Sequence, residues 1–202
     1  QKQAELCVLD LVGVGIGGAT TPMSRIIRNH AVRTFGGGDG KVKMLFDGRE
    51  ASSAGAALAG GMTIDALDAH DGYNPAKGHV GCGVFPAALA LAQELGLKDG
   101  QEFMTSIAVG YELGSRLATA LHATTPDYHT SGAWVAVAVA GVGARMMGLD
   151  RAATRHALGI AEYHGPRSQM MRDIDFPTMV KDGSGWGAMA GVSAAWLAAD
   201  GF

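Results

Sequence analysis

The stretch DALDAHDGYNPAKGHVGC (65–82) gathers five side chains able to ligate a metal: Asp68, His70, Asp71, His79 and Cys82. None of the common zinc spacings is present, and Cys82 has no C-x-x-C partner, so no metal is expected. A phosphate cradle would require G-x-x-x-x-G-K-[ST], which the stretch also lacks. Acid–base chemistry remains. A histidine suits proton transfer near neutral pH, Lys77 or a carboxylate can tune it, and the flanking glycines allow a substrate close to the backbone. On these residues alone, a surface loop with an idle histidine is an equal alternative.

Two further stretches offer anion recognition. In DYHTSG (127–132), His129 precedes an apolar segment whose N-cap is Thr130 or Ser131. The free N–H groups and dipole of that helix start would suit a carboxylate, although a plain capping segment reads the same. YHGPRSQMMRDIDFPTMVKDGSGWG (163–187) concentrates Tyr163, His164, Arg167, Arg172 and Lys181. Arginine grips a carboxylate with two hydrogen bonds and lysine supplies a compact charge; a solvated basic loop is the alternative. Near the N-terminus, GVGIGG (13–18) matches the dinucleotide fingerprint in form only. The segment before it is helical in period, and Pro22 falls inside the helix that would receive the phosphate.

The elements that must position these residues are helices. Apolar spacing and caps predict them over 4–18, from Thr21-Pro22 to Arg33, over 51–67, from Pro86 to Gly96, over 102–122 and 131–147, from Leu149-Asp150 to about 161, and in a last segment ending at Gly201. KVKMLF (41–46) reads as a strand, and 163–181 as irregular. Seven or so helices and one minor strand give an all-α domain over 1–202, with no repeat or linker dividing it. The 31 glycines, many beside alanine in apolar runs, point to close helix packing. A net charge of -3 gives no reason to expect nucleic acid or an anionic membrane, and the apolar runs are too short to span one. Two cysteines and no visible signal peptide fit a reducing, cytoplasmic setting.

The order of these stretches resembles the MmgE/PrpD family. Asp68 with Asp71, a glycine-flanked His79, and Pro86 with a small-residue helix are followed by IAVGYELGSRLATAL (107–121). His129-Thr130 with an Ala/Gly helix, ALGIAE (157–162), MVKDG (179–183) and AAWLAADGF (194–202) complete the series over nearly the whole chain. Members include 2-methylcitrate dehydratase, cis-aconitate decarboxylase and iminodisuccinate epimerase. The resemblance implies a helical domain joined to a smaller α+β lid, usually as a homodimer, with the site in the cleft between. This chain is then expected to be the helical domain alone, without the lid.

Carried over by position, Asp68, His79, His129 and Lys181 fall on the family's active-site positions, with Tyr163, Arg167, Arg172 and Thr130 as candidate substrate contacts. Relatives often have proline where this chain has Val80, and another histidine within the span Asp182–Gly185. The implied activity works alpha to a carboxylate of a small di- or tricarboxylic acid and needs no cofactor. Dehydration by proton abstraction and beta-elimination is the leading reaction, with decarboxylation or epimerisation at the same site as alternatives. A non-catalytic helical dimerisation module is the competing reading.

Overall fold

The computed structural model describes residues 2–175 and 181–202. Residues 176–180, which include Pro177 and the first two residues of MVKDG, lie outside the described residues. The order is α1 (Lys2–Gly18), α2 (Pro22–Phe35), β1 (Val42–Lys43), β2 (Glu50–Ala51), α3 (Ser53–Asp65), a 3-10 turn (Asn74–Ala76), α4 (Gly81–Glu94), α5 (Gly100–Thr124), α6 (Gly132–Met146), α7 (Arg151–His164), α8 (Met171–Asp175) and α9 (Ser184–Ala199). The domain is all-α, as the periodicity predicts. No single helix among the described residues is long and apolar enough to cross a membrane.

Helix starts follow the side-chain oxygens in the sequence. Thr21, Ser52, Asp99 and Asp150 each accept a backbone N–H of the turn they cap, before α2, α3, α5 and α7. At the centre lies α6, buried at every position from Gly132 to Ala144. Around it pack α9, α5, α7 and α4, while α3 lies against α4 and α9.

Glycine makes these contacts close. A methyl group added at Gly191 on α9 would sit 2.6 Å from Val139 Cβ of α6, and one at Gly187 would sit 2.8 Å from Gly132 Cα. One at Gly61 on α3 would sit 2.8 Å from Gly185 Cα of α9. The GVGIGG run lies within α1, and a methyl on Gly15 would strike the Phe46 ring at 2.5 Å. Gly15 and Gly18 therefore serve packing, against the Phe46 ring and the Thr63 carbonyl, while Gly13 faces open space.

Three local expectations are corrected. The strand shrinks to Val42–Lys43, paired antiparallel with Glu50–Ala51, because the chain turns at Leu45–Gly48 with Phe46 at φ 58°. Helix α4 begins at Gly81, five residues before Pro86, so the proline sits inside the helix instead of opening it. Its ring occupies the space left by Gly60 on α3, where an added methyl would lie 2.5 Å from the Pro86 Cβ. Within the segment read as irregular, α7 continues to His164 and α8 forms a short helix.

These close approaches bring the C-terminal end of α3 together with the N-terminal ends of α4, α6 and α9. The 66–80 connection runs across this junction, tied by an antiparallel bridge between Tyr73 and Gly78.

Candidate active site

His79 is the last residue but one before α4, and its ring is 22% exposed. Its backbone is held on both sides: the N–H donates to Ser131 Oγ at 3.4 Å, and the carbonyl accepts from Trp134 Nε1 at 2.8 Å. Both partners belong to the start of α6, and Trp134 is itself buried in the main core. The ring is fixed as well. Nδ1 lies 2.7 Å from the Asp71 carbonyl, which can only accept, so Nδ1 carries a proton. Nε2 is thereby turned to Asp68 Oδ1, 3.2 Å away.

Asp68 follows α3 in a left-handed conformation, φ 51°, with its side chain 63% exposed. Lys181 reaches the same place from just before α9. Its Nζ stands 3.8 Å from Asp68 Oδ1 and 3.5 Å from Asp65 Oδ1. Sequence positions 68, 79 and 181 therefore meet in one cluster.

Beneath that cluster lies a second layer. Asp65 and His70 have side chains with 0% exposure, and His70 Nε2 is 2.9 Å from Asp65 Oδ1. The His70 ring packs edge-on against that of His79, centroids 4.1 Å apart. Burial opposes a charge on His70, but neighbouring Cys82 and the Asp65 carboxylate reverse this and raise its pKa well above the ordinary histidine value. Burial pushes the pKa of the Cys82 thiol up.

The segment bearing His129 is bound to the His79 loop. Tyr128 donates its hydroxyl to the Lys77 carbonyl, and Lys77 has φ 54°. His129 Nδ1 lies 2.8 Å from the Asp127 carbonyl, which leaves Nε2 as its unassigned nitrogen. Its backbone N–H donates to His122 Nε2 at 3.3 Å. Burial lowers the pKa of His122, in keeping with a neutral ring that accepts there.

Thr130 is turned inward. Its hydroxyl donates to Asp182 Oδ1 and accepts the Gly183 N–H at 2.8 Å, while Asp182 Oδ1 also accepts the Ser131 N–H at 3.0 Å. The anion that the sequence invites to the start of α6 is thus supplied from within the chain by Asp182.

Among the described residues, three candidate contacts form no hydrogen bond or ion pair with this cluster. Tyr163 is 80% exposed on α7, edge-on to His164. Arg167 pairs with Glu162 at 2.5 Å and lines a different recess, which includes Trp134 and Leu121. Arg172 lies exposed on α8. A cavity of about 280 Å³ opens beside Lys181 and Thr130, with Met62, Pro166, Met170 and Trp186 as apolar walls. Asp173 also faces it, its pKa raised by burial and by nearby Asp182.

Metal donors are available in two sets that share His70. Asp65, His70 and Cys82 offer atoms within 4.8 Å of one another, and so do Asp68, His70 and His79. In the first set Asp65 Oδ1 already meets His70 and the Lys181 ammonium, and in the second His79 and Lys181 both meet Asp68. A cationic lysine beside each carboxylate opposes a further cation.

The whole chain, residues 1–202, matches the family described as the MmgE/PrpD N-terminal domain. The chain belongs to the MmgE/PrpD family. A cis-aconitate decarboxylase-like protein of Aspergillus oryzae is 24% identical over 169 residues, covering 79% of this chain and 35% of that relative. The chain thus spans about a third of the length of the curated MmgE/PrpD relative it matches.

In this MmgE/PrpD domain, sequence reasoning gave no role to Asp65, Trp134 or Asp182, read Ser131 only as a possible N-cap, and considered His70 only as a metal donor. Asp65 and His70 could have been found from the α3 pattern. Asp65 ends a helix buried on every side, where a carboxylate needs a partner, and His70 is the next basic group along the chain.

Proposed function

We propose that this chain carries the proton-transfer and carboxylate-binding part of a lyase site acting alpha to a carboxylate of a small di- or tricarboxylic acid. The observation that supports it best is the convergence of Asp68, His79 and Lys181, with His79 Nε2 at 3.2 Å and Lys181 Nζ at 3.8 Å from the same Asp68 oxygen. Because Nδ1 is anchored on a carbonyl, Nε2 alone gains or loses the proton. Neutral His79 takes a proton from the carbon alpha to the substrate carboxylate. The electron pair moves into that carboxylate to give an enediolate, whose charge the Lys181 ammonium stabilises.

In dehydration, the pair then forms a carbon–carbon double bond as the beta hydroxyl leaves, taking a proton from an acid, as water. Asp68, most exposed of the three, is placed to carry protons between His79 and solvent. His129 Nε2 completes the carboxylate contacts. The name of the Aspergillus relative favours a second outcome on the same groups. There the carbon–carbon bond to a carboxylate breaks, carbon dioxide leaves, and imidazolium His79 protonates the resulting carbanion.

The test uses the full-length protein with cis-aconitate, 2-methylcitrate and iminodisuccinate. His79→Ala and Lys181→Ala should each lower turnover of the accepted acid by about 10²-fold or more, measured by product chromatography. Wild-type turnover in either variant overturns the assignment.

A further inference from the structure

Asp65 and His70 lie wholly inside the fold, yet Asp65 reaches the candidate site through Lys181. A buried carboxylate is costly unless it is paired and hydrogen-bonded. Here one oxygen, Oδ1, takes both His70 Nε2 at 2.9 Å and Lys181 Nζ at 3.5 Å, while Oδ2 has no hydrogen-bond partner. His70 Nδ1 is likewise buried and unpartnered, as is Ser184 Oγ at the first turn of α9. Folding has thus buried an acid–base pair and left polar atoms beside it without hydrogen-bond partners. Such an arrangement is explained by what it holds.

We propose that Asp65 and His70 are a positioning pair, in which His70 pins the Asp65 carboxylate so that it anchors the Lys181 ammonium at the floor of the site. This rests on the functional reading above for the ligand that Lys181 meets. The pair has a particular electrical property. Asp65 is negative and His70 positive, so together they add no net charge. Lys181 is therefore held in place without being neutralised, and its charge faces Asp68 and an incoming carboxylate. Asp68 is the exchangeable partner, 63% exposed, and Asp65 the fixed one, with 0% exposure.

Asp65→Asn keeps the shape of the side chain and removes the carboxylate that meets Lys181 Nζ.

Two measurements on the full-length protein test this. In the first, labelling of Lys181 by trinitrobenzenesulfonate is followed by peptide mass spectrometry. Lys181, 19% exposed when anchored, should swing outward in Asp65→Asn and label several-fold faster; an unchanged rate overturns the proposal. This measurement needs no substrate, so it stands even if the lyase reading fails.

In the second, citrate is titrated calorimetrically as a tricarboxylate probe, with its turnover followed by product chromatography. Asp65→Asn should weaken citrate binding by about tenfold. In a Lys181→Met background, the same change should have no further effect. Full, additive losses in the double variant would show that Asp65 acts elsewhere and overturn the proposal. Should Asp65→Asn fail to fold, as judged by circular dichroism, Asp65→Glu moves the carboxylate by one methylene and enters the same cycle with the same expectations. Absence of citrate binding to the wild type, with none of the candidate acids turned over, counts against the lyase reading, while the labelling result still decides the positioning role.

Discussion

His70 shows how a single buried residue ties the stability of the domain to pH. Burial disfavours its charge, and the Cys82 and Asp65 neighbours overcome this and hold the proton up to a pKa of about 11. A folded-state pKa raised above that of the free side chain stabilises fully below the unfolded value, about 6.5, and this contribution is lost as pH rises through the folded value. Cys82 acts in the same direction, since an unfolded thiol ionises above about pH 8.5 while the buried one resists. Unfolding free energy measured in urea should therefore fall as pH is raised from neutral toward about 10. His70→Gln should show a shallower fall across that window, and parallel curves for the two proteins would refute the linkage. At this scale the sequence disclosed much. His79, Asp68 and Lys181 could be named because their types and local glycines were visible. Asp182 could not, because its donors, Thr130 and Ser131, are some fifty residues away and only the crossing of α9 with α6 brings them together.

At the scale of elements, helix starts were legible and helix crossings were not. Thr21-Pro22 and Asp150 announce their helices by local hydrogen bonding, which needs no tertiary context. Pro86 misleads for the opposite reason: a proline inside a helix is tolerated only because Gly60 across the interface receives its ring. The glycines themselves look alike in sequence but divide in space. Gly191→Ala would press a methyl to 2.5 Å from the Ala136 carbonyl oxygen and 2.6 Å from Val139 Cβ, on a helix pair that cannot separate without opening the core. It should destabilise by about 1–3 kcal/mol. Gly159→Ala, on the open face of α7 with nothing within 4 Å, should stabilise by about 0.5–1 kcal/mol. Thermal melts of the two variants check both signs.

For the molecule as a whole, one helix organises the rest. α6 is buried over thirteen successive positions, Gly132 to Ala144, and its first turn is the floor on which His79, Ser131 and Trp134 meet. Global and local stability should separate accordingly. Hydrogen–deuterium exchange read by mass spectrometry should find the amides of α6 slowest, exchanging only on global unfolding, and those of the largely exposed α2 far faster. Equal protection of the two helices would contradict this hierarchy. The all-α class and the family resemblance were open to a reader of the sequence because small residues, caps and motif order recur along the chain. The two-layered charge cluster was not, since Asp65 and Lys181 are far apart in sequence and their meeting depends on α3 and α9 touching through Gly61 and Gly185.

The left-handed backbone at Asp68 carries a last implication. A side chain there costs about 1 kcal/mol that glycine would not, so the proposed role of Asp68 stands against the ruggedness of the turn. Selection for heat resistance alone would drive Asp68→Gly, and the hardier protein would lose the carboxylate that faces His79 and Lys181. An acid at this left-handed turn, where glycine would cost less, fits the proton-carrying role proposed for Asp68.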